Sequence, residues 1–311
     1  MGGIPGGTGV RGSTGIDHRP AGHATRLVLR PVRTSPTTVG FIGLGSQGGP
    51  MARRIVDAGF PLTLWARRPE TIHAFTDTRA TSASSPADLA ERSNIVCVCV
   101  TGDDDVDQVV LGPKGVLAGL APGGTLVIHS TVHPQTCVRL SAEAGKRGAG
   151  LLDAPVSGGG PAASEGRLLV MVGGDEEVVD RVRPVLATFG DPVLRLGPVG
   201  AGQTAKLINN LAFTAQIAVA LDVFAFVDRL GVNRSTMAEV LERGSGGSRA
   251  ASVIAGSAFD LSGLAQVAGP LLRKDYRLVT DIIRSEGVEP PDAILGLAER
   301  SLAILREEGA S

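Results

Sequence analysis

The segment Val39-Gly40-Phe41-Ile42-Gly43-Leu44-Gly45-Ser46-Gln47-Gly48 runs an apolar stretch straight into three glycines at G-x-G-x-x-G spacing. Pro50 and a helical pattern from Met51 to Ala58 follow at once, and Gly59 closes that pattern as a C-cap. Strand, glycine turn and helix in this order leave few folds open. Gly43 permits the tight turn, Gly45 lets a diphosphate approach the backbone, and Gly48 allows the helix to pack close to the strand. The helix start adds unpaired N–H groups and the positive end of its dipole, with Ser46 and Gln47 in the loop that faces the anion. The segment therefore predicts a dinucleotide-binding unit.

Short apolar runs alternate with helical patterns from there on: Val39 to Leu44, Leu62 to Ala66, Ile95 to Val100, Thr125 to His129 and Gly150 to Asp153. Alternation of this kind specifies an α/β Rossmann-type fold with a doubly wound parallel sheet. A helix is expected to start near Pro86. Leu168 to Val172 and Val193 to Leu196 read as further strands around a helix from Asp175 to Phe189. After Gly197 the strand-like runs stop, and Thr204 to Leu230 is one helical pattern without Gly or Pro. At about 1.5 Å per residue it would reach roughly 40 Å, the length of a buried spine or a subunit interface. Shorter helices fill the rest, broken at Gly244 to Gly247 and at Pro290-Pro291. The expected organisation is a nucleotide-binding domain over 38–198 and an all-helical substrate and dimerisation domain over 199–311, the long helix lying between them. A homodimer or homotetramer is expected.

Residues 1–37 are rich in Gly, Pro, Thr and Arg, with Asp17 the one acidic residue, and show no sustained period. They read as an unstructured extension, or as a start assigned too early. A transit peptide is disfavoured because glycines and prolines spoil an amphipathic helix. A formal net charge of -1 gives no broad basic field for nucleic acid or an anionic membrane. No uninterrupted apolar run reaches the roughly 18 residues of a membrane span. Three cysteines make no disulfide framework, and Cys97 and Cys99 alternate within an apolar run as buried packing residues do. The C-x-C pair lacks the roughly four ligands that zinc wants, so no metal is expected. A cytoplasmic location is the expectation.

Four places carry candidate chemistry. An acidic residue usually ends the second strand of an NAD-binding unit, gripping the ribose hydroxyls. Here the residues are Ala66-Arg67-Arg68. A guanidinium pairs bidentately with a 2′-phosphate and contributes about 1.5 to 3 kcal/mol, so NADP is preferred and NAD remains open. Gly102 and Asp103 follow the strand that ends at Val100, where the loop is expected to pass the cofactor. Asp153-Ala154-Pro155-Val156-Ser157-Gly158-Gly159 ends a strand in small residues. A nest of Gly158 and Gly159 amides with the Ser157 hydroxyl would hold a small carboxylate substrate. Lys206 and Asn210 lie four apart near the start of the long helix and face one way. Desolvation would lower the lysine pKa toward neutrality, suiting it to general acid–base work, while Asn210 would orient the reacting oxygen. From the residues alone, an exposed lysine with a snorkelling stem competes with that reading.

Together these motifs resemble the β-hydroxyacid dehydrogenase family, part of the superfamily that shares the 6-phosphogluconate dehydrogenase NAD-binding unit. The landmarks match in order: Gly40 to Gly45, Asp153 to Gly159, Gly200 to Asn210, and Lys274-Asp275. The resemblance implies an NAD(P)-dependent oxidoreductase acting on a 3-hydroxy acid or its semialdehyde. It makes Lys206 catalytic with Asn210 assisting, and gives the substrate carboxylate to Ser157, Gly158 and Gly159. It sets Ser130 by the substrate and Thr131 near the nicotinamide, and has Lys274 close over both. Gln47, His129 and Gly160 depart from the family's usual residues, and these positions flank the reacting groups. Imine reductases share the fold but generally lack the lysine at the position of Lys206. A non-catalytic nucleotide-sensing module finds no aromatic cage or basic run in residues 1–37.

Overall fold

The computed structural model describes residues 2–3 and 36–309; nearly all of the 1–37 extension lies outside them. The first half runs β1 (Val39–Ile42), α1 (Gly48–Asp57), β2 (Leu62–Trp65), β3 (Thr81–Ser82), α2 (Pro86–Glu91), β4 (Ile95–Val98), α3 (Asp103–Leu111), α4 (Val116–Gly119), β5 (Thr125–Ile128), α5 (Pro134–Gly145) and β6 (Gly150–Asp153). Then come β7 (Val156–Ser157), α6 (Gly159–Ser164), β8 (Leu168–Gly173), α7 (Glu176–Leu186) and β9 (Gly190–Gly197).

The nine strands form one sheet in the order β3-β2-β1-β4-β5-β6-β8-β7, with β9 also on β8. Every pairing from β3 to β6 is parallel, as the alternation predicts. On the far side of the sheet β8 runs antiparallel to β6 and β7. Ala154-Pro155 separates β6 from β7, so β8 pairs with both pieces of one interrupted strand; Pro155 has no N–H to continue a ladder.

Period-2 alternation loads both faces of the sheet. Val39, Phe41, Cys97 and Val127 enter one core with Met51 and Ile55 of α1. Ile42, Val96, Val98, Leu126 and Ile128 enter the other with Leu89 and Leu140. All of these are essentially inaccessible, each large side chain contributing about 1.5–3 kcal/mol by leaving water. Burial pushes both the Cys97 and Cys99 thiols up, the latter to about 12, in keeping with packing rather than reactivity.

Beyond the sheet lie α8 (Ala201–Arg229), α9 (Arg234–Arg243), α10 (Arg249–Gly256), α11 (Ser262–Val267), α12 (Gly269–Glu286) and α13 (Asp292–Glu308). By length and composition alone α8 is apolar enough to cross a membrane. In the fold its Ile217 and Phe224 are buried with α10 and α13, and its Leu207 and Leu211 with Val279 of α12. A bidentate Arg300–Asp222 pair at 2.5 Å ties α13 to α8 on the outside.

The start of α8 is bolted to the sheet. Asp153, wholly buried at the end of β6, accepts the Gly200 N–H at 2.7 Å and the Gln203 N–H at 2.8 Å. A carboxylate there satisfies orphan N–H groups of the first turn and meets the positive dipole end. Gly202 allows the approach, since a Cβ would sit 2.4 Å from the Met171 carbonyl oxygen.

Candidate active site

The carboxyl ends of β1, β4 and β5 open on a cleft of about 1090 Å³, closed on its far side by α8, α10 and α12. This is the crevice where parallel α/β sheets bind ligands. Gly43 has φ +98°, and a Cβ on it would lie 2.1 Å from the Cys99 carbonyl oxygen. A Cβ on Gly48 would strike the Gly43 carbonyl oxygen at 2.0 Å, whereas one on Gly45 would meet nothing within 4 Å. Two glycines thus close the turn against its neighbours, and the middle one leaves open space for a diphosphate beside Ser46 and Gln47. A dinucleotide fits this cradle.

Arg67 and Arg68 also line the cleft, after β2. Arg67 is not free: its Nη1 lies 3.0 Å from Asp105 Oδ1 on α3. Gly102 and Asp103 do not line the cleft. Gly102 caps α3, and Asp103 turns toward α5, accepting the His133 N–H at 3.0 Å and the Thr136 hydroxyl at 2.7 Å. Thr101 and Asp105 take the wall in their place.

At the other end the sequence-predicted substrate residues converge. Ser157, Gly158 and Gly159 line the cleft, with φ +133° at Gly158 and +73° at Gly159. Gly160, second residue of the adjoining α6, lies so close to the glycine loop that a Cβ would sit 2.7 Å from the Ser46 carbonyl oxygen. That contact leaves no room for a side chain at this position. Ser130 is buried, its hydroxyl accepting the Val100 N–H at 2.8 Å, so its own proton remains available.

Lys206 stands half-buried in the cleft wall one turn into α8, with Asn210 a turn further on. Burial, opposed by the nearby Asp275 charge and aided by Lys274, lowers the Lys206 pKa to about 8. Asn210 Nδ2 donates to Asp275 Oδ2 at 2.6 Å, and Asn209 Nδ2 donates to Asn210 Oδ1 at 3.1 Å. Lys274 reaches across from α12 over Gly102 to the Thr131 carbonyl oxygen, with its Nζ 2.9 Å from Asp275 Oδ1.

Asp275, Gln203 and Asp153 lie within the recognisable motifs, but their roles emerge only from the fold. Gln203 is wholly buried; its Nε2 donates to the Ser130 carbonyl oxygen at 2.8 Å and its Oε1 accepts the Val132 N–H at 3.1 Å. The one signal in the sequence is a polar side chain three residues before the lysine on a largely apolar helix. His129 goes inward: Nδ1 bonds the Ala154 carbonyl oxygen at 2.8 Å, and the ring stacks on Phe41 and meets Phe189 edge-on. Burial holds its pKa down at about 4.

Glycine cradle, parallel sheet and a lysine-bearing helix across the cleft define a nicotinamide-dependent oxidoreductase. Residues 38–197 match the family model described as the NAD binding domain of 6-phosphogluconate dehydrogenase, and residues 200–310 match the NAD-binding domain of NADP-dependent 3-hydroxyisobutyrate dehydrogenase. The mitochondrial 3-hydroxyisobutyrate dehydrogenase of Rattus norvegicus is 35% identical over 228 residues, 73% of this chain and 68% of the relative. The NAD-dependent L-serine dehydrogenase of Pseudomonas aeruginosa is 34% identical over 215 residues, 69% of this chain and 72% of the relative. Among solved structures, Mycobacterium tuberculosis 3-hydroxyisobutyrate dehydrogenase with L-serine superposes with TM-score 0.76 at 26% identity, covering 89% of this chain and 94% of that one. Psf3 in complex with NADP+ and 2-OPP gives TM-score 0.75 at 29% identity, covering 88% and 95%. The chain belongs to the β-hydroxyacid dehydrogenase family, NAD(P)-dependent oxidoreductases that act on CH–OH groups. An imine reductase of Myxococcus stipitatus, at TM-score 0.60 and 17% identity, shares the fold alone.

Proposed function

We propose that this chain moves a hydride between NADP(H) and a small 3-hydroxy carboxylic acid or its semialdehyde, with Lys206 as the general acid–base. The observation that carries this reading is a half-buried lysine with pKa near 8, facing the same cleft as the Ser157-Gly158-Gly159 turn. When bound, the nicotinamide accepts or gives the hydride; the chain's residues do the rest. The turn grips the substrate carboxylate, and the Ser130 hydroxyl donates to the same end. In the reducing direction the Lys206 ammonium gives its proton to the carbonyl oxygen, and in the oxidising direction the neutral amine takes the hydroxyl proton. Asn210, held by Asp275, orients that oxygen through its remaining N–H. The helical side keeps water from the reacting atoms, with Lys274 bridging α12 to Thr131.

Both named relatives support a 3-hydroxy acid, because 3-hydroxyisobutyrate and L-serine each bear a hydroxyl on the carbon β to a carboxyl. Arg67 and Arg68, where an NAD site usually has a carboxylate, support NADP. Lys206 counts against imine reduction, which generally proceeds in this fold without that lysine.

The test is Lys206→Met. NADPH binding, followed through energy transfer from Trp65, the chain's sole tryptophan and a cleft residue, should be retained. Turnover of a series of small semialdehydes should fall at least about 100-fold, the scale of positioned proton transfer. Equal turnover in both proteins would overturn the assignment.

A further inference from the structure

The adenine-ribose end of the cleft contains a pairing that the sequence pattern did not foretell. Arg67 Nη1 and Asp105 Oδ1 lie 3.0 Å apart, and both residues line the cleft beside Trp65. The arginine side chain is 68% exposed and the aspartate 26%. Asp105 belongs to the three-acid first turn of α3, whose Asp103 is committed to His133 and Thr136. Arg68 has no side-chain partner among the described residues.

The two partners of this pair favour different cofactors. A 2′-phosphate carries close to two negative charges and seeks the guanidinium fork, one N–H of which already serves Asp105. It must displace a carboxylate that repels it. A ribose diol brings no charge and offers two hydroxyl donors, for which the same carboxylate is an acceptor, the role an acidic residue at the end of the second strand fills elsewhere. Because Arg67 is largely in water, the pair is weakly held and either occupant can open it.

We propose that Asp105 is a specificity-determining residue for the cofactor: by competing for Arg67 and offering a ribose acceptor, it keeps this chain open to NADH as well as NADPH. The inference rests on Arg67 being the 2′-phosphate residue, as proposed above.

Dissociation constants for NADPH and NADH on the full chain, read from Trp65 quenching and energy transfer without turnover, separate the two assignments. Asp105→Asn keeps shape and removes charge. It should tighten NADPH by about tenfold, the lower end of what a charged hydrogen bond is worth, and weaken NADH severalfold. Raising salt should shrink the NADPH gain. If Asp105→Asn shifts both constants in parallel or neither, while Arg67→Ala weakens NADPH alone, the Asp105 inference is overturned and the Arg67 reading stands. If Arg67→Ala weakens both equally or leaves both unchanged, the Arg67 reading itself is overturned.

Discussion

Gln203 donates to the carbonyl oxygen of Ser130 at 2.8 Å, and through this buried bond the loop after β5 and the helix that carries Lys206 share one frame. Its other end accepts the Val132 N–H. Gln203→Leu would leave a buried carbonyl and a buried N–H unpaired, at about 1–3 kcal/mol each. The expected result is a urea midpoint lowered by an amount equivalent to about 2–6 kcal/mol, together with reduced kcat. A midpoint equal to that of the unaltered protein would show that the clamp does not hold.

The lysine sets a pH signature. With its pKa near 8, Lys206 is mostly ammonium below pH 8 and mostly amine above it. Carbonyl reduction needs the ammonium and should decline as pH rises through about 8. Alcohol oxidation needs the amine and should climb across the same range. Profiles of kcat/KM in the two directions should therefore be mirror images. Two profiles bending the same way would assign the proton to another group.

His129 predicts an acid sensitivity unrelated to turnover. Its folded pKa near 4 lies below the ordinary 6.5, so as pH falls the unfolded chain takes up a proton before the folded one does. Stability should drop between about pH 6.5 and 4, by about 3 kcal/mol at roughly 1.4 kcal/mol per unit. In His129→Phe, which suits the contacts with Phe41 and Phe189, that part of the pH slope should vanish. An unchanged slope would place the imidazole in solvent.

At the turn proposed to hold the substrate carboxylate, Gly158 has φ +133°, and a Cβ would press within 2.7 Å of Ala162 Cβ. Gly158→Ala should displace the Ser157-Gly158-Gly159 nest, raising KM for the carboxylate substrate at least tenfold by loss of roughly 1.4 kcal/mol or more of binding. The NADPH dissociation constant should stay near its original value. A rise in the cofactor constant alone would place the turn at the wrong end of the cleft.

The parallel strands and the long helix were legible because their signals are local: period-2 apolar runs, a glycine turn, and 29 residues of α8 uninterrupted by Pro. The antiparallel β8 was not, since an apolar run carries no direction, and the break at Pro155 is read only once the partner strand is known. Glycine geometry and Lys206 were legible for the same local reason. Asp103 shows the limit of that local signal: it follows a strand as a cleft residue would, yet its carboxylate serves the start of α5, a partnership some 30 positions away. Asp105, Asp153 and Gln203 act on partners 38 to 73 positions distant, which spacing along the chain does not reveal.

The Asp153 carboxylate also bears on how divisible the molecule is. Architecture changes near residue 198, from sheet to helices, and a cut there looks natural on a diagram. Yet such a cut would strand an inaccessible carboxylate whose partners at the helix start, the amides of Gly200 and Gln203, lie on the other fragment. The chain changes texture at one place and is held together at the same place, so neither half inherits a complete interior.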